Sequence, residues 1–261
     1  MNDYITQAWD KRSKEFGKKR EGVLPKSFPS TINQSLHNWM LNQVEGVIDR
    51  NKNFRILDLG CGYGRLSEDL LKEFPKIRTF GIDVAPTYVE IYNKSLSPRG
   101  RAIVGDISGL PFKSSFFDAA FIVTTLMYLI REEDQRKALK ELFRVLKPNG
   151  KFVIIERNPT GQSIIMAGGL VSKIRGAKYR EIESISFSSF YLSGLIEKCG
   201  GVVTRTSGLP AWTITLPVLI LLSMIWKSGT KFLLRAIGAF DKRLSSCLTP
   251  SLYISYIGKK R

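Results

Sequence analysis

From residue 54 onward the sequence alternates between short apolar segments and longer amphipathic ones. The strand-like segments are FRILDLG (54–60), IRTFGID (77–83), RAIVGDI (101–107), FDAAFIVT (117–124), KFVIIER (151–157), GVVTRTS (201–207) and SLYISYIGK (251–259). Helical periodicity is found at 30–50, 65–74, 86–96, 132–146 and 188–199. Nearly continuous apolar strands that alternate with helices predict an α/β fold, in which a largely parallel sheet is covered on both faces.

Composition excludes several classes of protein. The chain has 261 residues, enough for one α/β domain with a full core. Its three cysteines are scattered and His37 is its only histidine, so neither a metal site nor a disulfide framework is expected. The segment MNDYITQAWDKRSKEF has no apolar core of a secretion signal, which leads us to expect a cytoplasmic protein. The net charge of +17 favours a polyanionic partner, either nucleic acid or an anionic lipid surface.

Polar residues follow three of the predicted strands where each one ends. The first strand runs into Asp58-Leu59-Gly60-Cys61-Gly62-Tyr63-Gly64, the second ends in Asp83, and the third ends in Gly105-Asp106-Ile107. Ligands of parallel sheets bind at the carboxyl ends of the strands, where glycine turns expose backbone amides and a carboxylate can accept ribose hydroxyls. Three such signals in register predict a nucleoside-containing cofactor.

The spacing of the glycines discriminates between cofactors. A dinucleotide site requires glycine at the first, third and sixth positions, and here the sixth position is Arg65. The carboxylate of Asp58, two residues before the first glycine, would repel a pyrophosphate but would attract an amino group. The pattern therefore favours S-adenosylmethionine, an adenosine that carries an amino acid.

These motifs resemble those of the class I S-adenosylmethionine-dependent methyltransferases, in particular the broad type 11 group. The resemblance covers roughly residues 54–157 and rests on ILDLGCGYGRL, FGIDVA, GDISGLPF, FFDAAFIVTTLMYL and LFRVLKPNGKFVI, which occur in the family order. It implies a Rossmann-like seven-stranded sheet with one antiparallel member among the last two strands. It says little about the substrate.

The resemblance also implies which residues surround the cofactor. The methionine end would lie against Asp58, Gly60, Gly62 and Thr124. Asp83 would bind the ribose, Val84 would pack beside the adenine, and Asp106 and Ile107 would contact the adenine amino edge. For the side chains of Val84 and Ile107, simple core packing is an equally good interpretation.

The general base is less clear from the sequence. Many relatives have a histidine after the fourth strand, where this chain has Thr124-Thr125-Leu126-Met127-Tyr128. Methyl transfer depends mainly on alignment, but a base assists an alcohol or amine acceptor. Tyr128 is a catalytic candidate by position, and His37 is another, although on its amphipathic helix it is also typical of a packing residue. Tyr4 and Trp9 could close over the cofactor, or simply tether the amino-terminal helix to the surface.

Three regions are predicted. Residues 1–29 form a basic amino-terminal segment and linker, residues 30–208 together with 251–261 form the methyltransferase domain, and residues 209–250 form an inserted helical segment between the last two strands. The insertion contains the uncharged SGLPAWTITLPVLILLSMIW, followed by the basic amphipathic KSGTKFLLRAIGAFDKRL. We expect Pro217 to interrupt the apolar helix and leave it too short for a membrane span.

The second half of the insertion is typical of a helix that lies on a membrane surface, whereas a lid or a dimer interface is the alternative. We therefore expect methyl transfer to an oxygen of an amphiphilic or lipid-linked acceptor such as a glycan, a quinone or a lipid. The protein would then bind peripherally to the anionic surface of the inner face of a membrane. A soluble sugar or small-molecule methyltransferase with the insertion as a lid is the main alternative. An NAD-type oxidoreductase and a non-catalytic cofactor-binding scaffold are less favoured.

Nucleic acid is a less favoured partner because no N-P-P-Y-like tetrapeptide follows the fourth strand. The sequence does not indicate an oligomeric state.

Overall fold

The computed structural model describes residues 3–26, 28–161, 163 and 182–261. Its strands are β1 Phe54–Leu59, β2 Ile77–Asp83, β3 Gly100–Val104, β4 Phe117–Val123, β5 Leu146–Arg157, β6 Gly201–Gly208 and β7 Tyr253–Lys260. They form one seven-stranded sheet in the order β3-β2-β1-β4-β5-β7-β6. Strand β7 is antiparallel to both of its neighbours, and the other pairs are parallel. The predicted Rossmann-like class and the insertion before the last strand are confirmed.

The helices of the described residues lie on both faces of this sheet. They are α1 Asp3–Phe16, α2 Ser30–Glu45, α3 Arg65–Glu73, α4 Pro86–Leu96, α5 Glu132–Val145, α6 Ser189–Lys198, α7 Pro210–Ile225 and α8 Lys227–Leu244. Single 3₁₀ turns occur at Arg20–Gly22 and Leu126–Tyr128. Three boundaries differ from the prediction by three or more residues. Strand β3 ends at Val104, before Gly105-Asp106-Ile107. Helix α2 ends at Glu45, before Gly46, and β5 begins at Leu146, so that it includes the KPNG turn, with Asn149 at a φ of 58°.

Side chains alternate between the two faces of the sheet, as the period of a strand requires. Ile56 of β1 belongs to a core shared with α2, α3, α4 and α7, whereas its neighbour Leu57 belongs to a core shared with α5 and α6. Both side chains are fully buried. Apolar residues are needed at consecutive positions of the central strands because helices cover both faces. This arrangement leaves the carboxyl ends of the strands as the place for a site.

The insertion contains two helices, and the first differs from expectation. Helix α7 continues through Pro217 from Pro210 to Ile225, so the prediction that Pro217 interrupts the helix is wrong. Proline removes one backbone hydrogen bond, but α7 keeps its shape because one side of it is packed into the core. Trp212 and Leu219 on that side are 1% and 2% exposed. Among the residues described, no helix is both long and apolar enough to cross a membrane.

A buried carboxylate joins the two helices of the insertion. Asp241 of α8 is 2% exposed and accepts hydrogen bonds from the amides of Ala211 (2.7 Å) and Trp212 (3.0 Å) at the start of α7. Those amides have no partner within their own helix, and a negative charge is stabilised at a helix amino terminus. Asp241 is the sole acid of residues 209–250, so the solvent-facing charge of the insertion is entirely positive.

Candidate functional site

A cleft lies at the carboxyl ends of β1, β2 and β4, beneath α1. It encloses about 840 Å³ including its open mouth. Of the residues predicted to form the site, those that line the cleft are Asp58, Gly60, Gly62, Asp83, Val84, Ile107, Thr124 and Tyr128. Two predicted residues, His37 and Asp106, are not part of its lining. Within the described ranges, no group of acids, cysteines and histidine could hold a metal ion.

The glycine turn after β1 is required by the close approach of other parts of the chain. Gly60 has a φ of 75°, and a Cβ there would lie 2.2 Å from the hydroxyl oxygen of Thr125. Gly64 has a φ of 84°, and its Cβ would meet the ring of Tyr92 at 2.6 Å. These residues can only be glycine, because the left-handed backbone and the lack of space both exclude a side chain. The turn therefore leads directly from β1 into α3 along the floor of the cleft.

Asp83, at the end of β2, is held in place by backbone amides. Its carboxylate accepts hydrogen bonds from Gly62 N (2.7 Å) and Ala85 N (2.9 Å), one at each oxygen. Burial raises the pKa of this carboxyl, and the backbone hydrogen bonds oppose that rise. A carboxylate has about four acceptor positions, so both oxygens keep a lone pair for the hydroxyls of a ribose.

Opposite charges meet on the floor of the cleft. Asp58 accepts a hydrogen bond from the Ser67 hydroxyl (2.8 Å), and burial raises its pKa to about 7. Arg65, 9% exposed, also lines the cleft and lowers the pKa of Asp58 by its charge. No salt bridge to the Arg65 guanidinium is found within the described part of the chain. An amino acid zwitterion, whose ammonium suits Asp58 and whose carboxylate suits Arg65, fits this pair of charges.

His37 lies behind Arg65 rather than in the cleft, and it is 1% exposed. Its Nδ1 is 2.9 Å from Nη1 of Arg65, and its Nε2 is 2.8 Å from a carboxylate oxygen of Asp69. Since a guanidinium only donates, Nδ1 accepts and Nε2 carries the proton that is donated to Asp69. Desolvation lowers the pKa of His37 to about 4, so the ring is neutral. In this position His37 orients Arg65 and does not face a substrate.

A buried glutamate shapes the loop after β4. Glu156 of β5 is 1% exposed, and its Oε1 accepts hydrogen bonds from the amides of Thr125 (2.9 Å) and Leu126 (2.7 Å). Desolvation raises its pKa to about 8. Thr124, in the same loop, has a φ of 54°, an unusual conformation for a β-branched residue. The loop is therefore held against the cleft by Glu156, and it places Tyr128 at the rim.

Helix α1 forms the roof above that loop. Trp9 lines the cleft and meets the ring of Tyr128 edge-on, with the ring centroids 5.1 Å apart. The carboxylate of Asp10 accepts a hydrogen bond from Thr87 N (3.1 Å), which ties α1 to the start of α4. Tyr4 is 54% exposed and does not line the cleft. Trp9, but not Tyr4, is thus placed to close over a ligand.

Asp106 occupies a turn next to the cleft. Its carboxylate accepts hydrogen bonds from the amide of Ser108 (2.8 Å) and from the Ser108 hydroxyl (2.9 Å). The residues on either side, Gly105 and Ile107, do line the cleft. The cleft is thus bordered here by Ile107 and the Gly105 backbone, and the contact between Asp106 and an adenine stays a prediction.

Sequence reasoning did not assign a role to several residues of the cleft. Those lining it are Ile5, Val23, Tyr63, Arg65, Tyr88 and Thr125, and Glu156 supports it from behind. The sequence signal for Glu156 was an acid near the end of the apolar strand KFVIIER. Burying a charge costs free energy unless it is hydrogen-bonded, so an acid at this position indicates partners. For Tyr88 the signal was weaker, because an aromatic residue on an amphipathic helix is typical of the core. Its ring is fully buried, and its hydroxyl has no hydrogen-bond partner among the described residues.

Comparison with known proteins agrees with this geometry. Residues 56–150 match the methyltransferase domain family. A sterol 4-C-methyltransferase of Caenorhabditis elegans is 32% identical over 114 residues, which cover 42% of this chain and 33% of that protein. A demethylmenaquinone methyltransferase of Thermus thermophilus is 37% identical over 139 residues, which cover 52% of this chain and 60% of that protein. The chain thus spans less than two thirds of either relative.

Solved structures share the fold at low sequence identity. The structure of geranyl diphosphate methyltransferase in complex with S-adenosylmethionine gives a TM-score of 0.59 at 14% identity, covering 88% of this chain and 86% of that one. Residues 56–150 match the methyltransferase domain family, and the fold and the cleft around them are similar to those of the class I, type 11-like S-adenosylmethionine-dependent methyltransferases. S-adenosylmethionine is the cofactor of this class, and the buried acids and the Asp58–Arg65 pair fit it.

Proposed function

We propose that this protein transfers the methyl group of S-adenosylmethionine to an amphiphilic acceptor at an anionic membrane surface. When bound, this cofactor supplies an electrophilic methyl group on a positively charged sulfur. The residues of the cleft would hold the cofactor, exclude water beneath α1 and present the acceptor at the rim near Tyr128. Such alignment supplies much of the rate of a two-substrate reaction.

The observation that carries the membrane proposal is an exposed apolar line along α7, here called the α7 stripe. It consists of Ile214, Val218, Leu221 and Ile225, which are 61%, 58%, 53% and 83% exposed. Their spacing of four, three and four residues places them on one side of the helix, opposite the buried Leu219. A contiguous exposed apolar surface of this kind marks an interaction site.

Positive charge lies next to the α7 stripe. The exposed cations of α8 are Lys227, Lys231, Arg235, Lys242 and Arg243. None of them forms an ion pair with any residue in the described ranges. Phe232 and Phe240 of the same helix are 71% and 54% exposed. Apolar area for the headgroup boundary and cations for anionic lipid are thus adjacent, which is the arrangement of an interfacial helix. Each cation near such a surface contributes about 1 kcal/mol.

The alternative in which the insertion is a lid has less support. Residues 209–250 are all described, and none of them lines the cleft. The covering element is α1, through Ile5 and Trp9. A second copy of the chain could also cover the α7 stripe, but the unpaired cations beside it favour an anionic surface.

The atom that receives the methyl group is a separate question. The sequence led us to expect an oxygen. The sterol 4-C-methyltransferase among the relatives is named for transfer to carbon, and this supports carbon as a second candidate. Incubation of the protein with isotopically labelled S-adenosylmethionine and a lipid extract, followed by mass spectrometry, would identify the acceptor. The carbon chemical shift of the transferred methyl group would then distinguish a methyl ether from a methyl on carbon.

Sedimentation with vesicles tests the membrane proposal. We expect the protein to sediment with anionic vesicles, much less with neutral ones, and to be partly released by high salt. Replacing Ile214, Val218 and Leu221 by Ser should abolish the salt-resistant fraction, whereas Phe190→Ser should not, although Phe190 is 91% exposed. Leu219 of the same helix is unsuitable for this test because it is buried. Protein that stays in the supernatant with anionic vesicles at low salt would overturn the proposal.

A further inference from the structure

A second concave surface lies away from the cofactor cleft, between α2, α8 and the edge strand β6. It is here called the α2–α8 groove, and it encloses about 1800 Å³ including its open mouth. It shares no lining residue with the cleft. Since β6 pairs only with β7 in the described sheet, its other edge leaves backbone groups available beside the groove.

One wall of the groove is cationic. Lys231, Arg235 and Lys242 line it from α8, and Arg205 lines it from β6. The spacing of four and seven residues places the three α8 cations on one side of the helix. No carboxylate in the described chain pairs with any of the four. Asp241, the one acid in the lining, is already bound to the amides of α7. This wall therefore carries an uncompensated positive charge that suits an anion.

The opposite wall is rich in neutral hydrogen-bonding groups. It is formed by Thr31, Gln34, Ser35, Asn38, Asn42 and Gln43 of α2. Gln34 donates to the Asn38 side-chain oxygen (2.7 Å), and Ser207 donates to the Gln43 side-chain oxygen (2.9 Å). These bonds leave the amide NH₂ groups of Asn38 and Gln43 without a partner in the described structure. Amides that both donate and accept are suited to a ligand with several hydroxyl groups.

Two tryptophans complete the lining. Trp39 of α2 is half-buried, and Trp212 of α7 is 1% exposed. The indole N–H of Trp212 has no hydrogen-bond acceptor among the described residues. The hydroxyl of Thr31 has no hydrogen-bond partner among them either. Both of these polar atoms are themselves buried, so they lie behind the surface of the groove and do not form part of its polar lining.

From these two walls we infer that the α2–α8 groove binds a phosphate ester of a polyol. The cations would take the phosphate, and the amides of α2 would take the hydroxyl groups. The ester is either the head of a lipid or a free sugar or inositol phosphate, since both have the same chemistry. The groove and the membrane surface of the preceding section share Lys231, Arg235 and Lys242. The inference does not depend on the acceptor of methyl transfer, because the groove and the cleft are separate.

Calorimetry with three soluble probes tests the site. We expect inositol 1-phosphate to bind saturably, and to bind more tightly than either inositol or inorganic phosphate. Arg235→Gln should weaken binding by about tenfold or more, the loss expected for a charge-assisted hydrogen bond. Arg243→Gln is the matched control, since it removes the same charge from the same helix outside the groove, and it should change the affinity less than about twofold. Unchanged melting temperatures would show that both variants fold.

Vesicles distinguish the two sources of the ester. If the ligand is a lipid head, the protein should sediment better with phosphatidylinositol than with phosphatidylserine vesicles of equal charge, and inositol 1-phosphate should compete. If the ligand is a free ester, inositol 1-phosphate should bind with no preference between the vesicles. The inference is overturned if no probe binds saturably, if Arg235→Gln and Arg243→Gln weaken binding equally, or if a single-stranded oligonucleotide binds the groove more tightly than the ester.

Discussion

The cofactor cleft and the insertion at 209–250 use charged residues in opposite ways. In and behind the cleft, Asp58, Asp83 and Glu156 each accept hydrogen bonds from a fixed hydroxyl or backbone amide. In the insertion, the cations of α8 are exposed and unpaired in the described structure, and the single acid is withdrawn into a helix cap. The difference shows that the chain itself fixes these acids, whereas the cations of the insertion have no acidic partner among the described residues.

The two regions also differ in how they combine polar and apolar surface. The cleft places its acids among apolar walls, which raises the pKa values of Asp58 and Glu156. The insertion separates the two kinds of surface, with one side of α7 in the core and the α7 stripe in solvent. Four predictions follow from the contrast, in order of decreasing expected effect.

The largest effect concerns the two sides of α7. Leu219→Ala should lower the free energy of unfolding by about 2–5 kcal/mol, because it leaves a cavity beneath the helix. Leu221→Ala, two residues away on the α7 stripe, should change it by less than about 0.5 kcal/mol. Urea denaturation monitored by tryptophan fluorescence measures both. Equal losses for the two variants would mean that α7 does not have one buried and one exposed side.

The second effect concerns the buried histidine behind the cleft. Its folded-state pKa of about 4 lies below the ordinary value of 6.5, so the unfolded chain binds the proton first as the pH falls. His37 therefore contributes about 3 kcal/mol to the free energy of unfolding. This contribution is complete above pH 6.5 and is lost as the pH falls from 6.5 to about 4. Urea denaturation across this range should show a steeper loss of stability in the wild type than in His37→Gln. Parallel pH profiles would contradict a neutral, buried His37.

The third effect concerns the rim of the cleft. If Tyr128 is a general base, Tyr128→Phe should lower the turnover rate by about 10²-fold or more without changing cofactor affinity. The phenyl ring preserves the contact with Trp9, so the roof should stay in place. Single-turnover kinetics with the identified acceptor would measure the change. An unaltered rate would assign Tyr128 to packing and leave alignment as the main source of catalysis.

The smallest effect compares Asp83 with Asp106, since both acids were predicted from the sequence to contact the cofactor. Asp83→Ala should weaken S-adenosylmethionine binding by about 1.5–3 kcal/mol, because the ribose loses charge-assisted hydrogen bonds. Asp106→Ala should weaken it less, since the Asp106 carboxylate is engaged in a turn with Ser108. Calorimetry with S-adenosylmethionine, its demethylated product and NAD gives both values. A larger loss for Asp106 would mean that the adenine, rather than the ribose, dominates recognition.

Much of the site could be predicted because its signals are local. A strand followed by G-x-G-x-G and an acid at the end of the next strand specify where backbone turns and carboxylates meet, whatever the rest of the chain does. The roof was harder to predict, because Trp9 reaches the cleft only through the packing of α1 against α4. Glu156 was missed for a similar reason, since the amides that it binds belong to a different part of the sequence.

The insertion shows where sequence patterns mislead. Pro217 is a strong helix-breaking signal, and tertiary packing overrides it. The run at 209–226 contains no charged residue, so no periodicity of charge distinguishes the core side from the α7 stripe. The α2–α8 groove gave no signal in the sequence, because its two walls are brought together only by the fold.

The position of β7 has a consequence for how the chain folds during synthesis. Strand β7 lies between β5 and β6, although it follows both of them in the chain. Strand β6 therefore has no partner in the sheet until the whole insertion has been made, and β5 keeps an open apolar edge for the same period. Pairings between distant segments form slowly, and open edges can pair with other chains in the meantime. The insertion thus sets the time for which the growing chain needs protection.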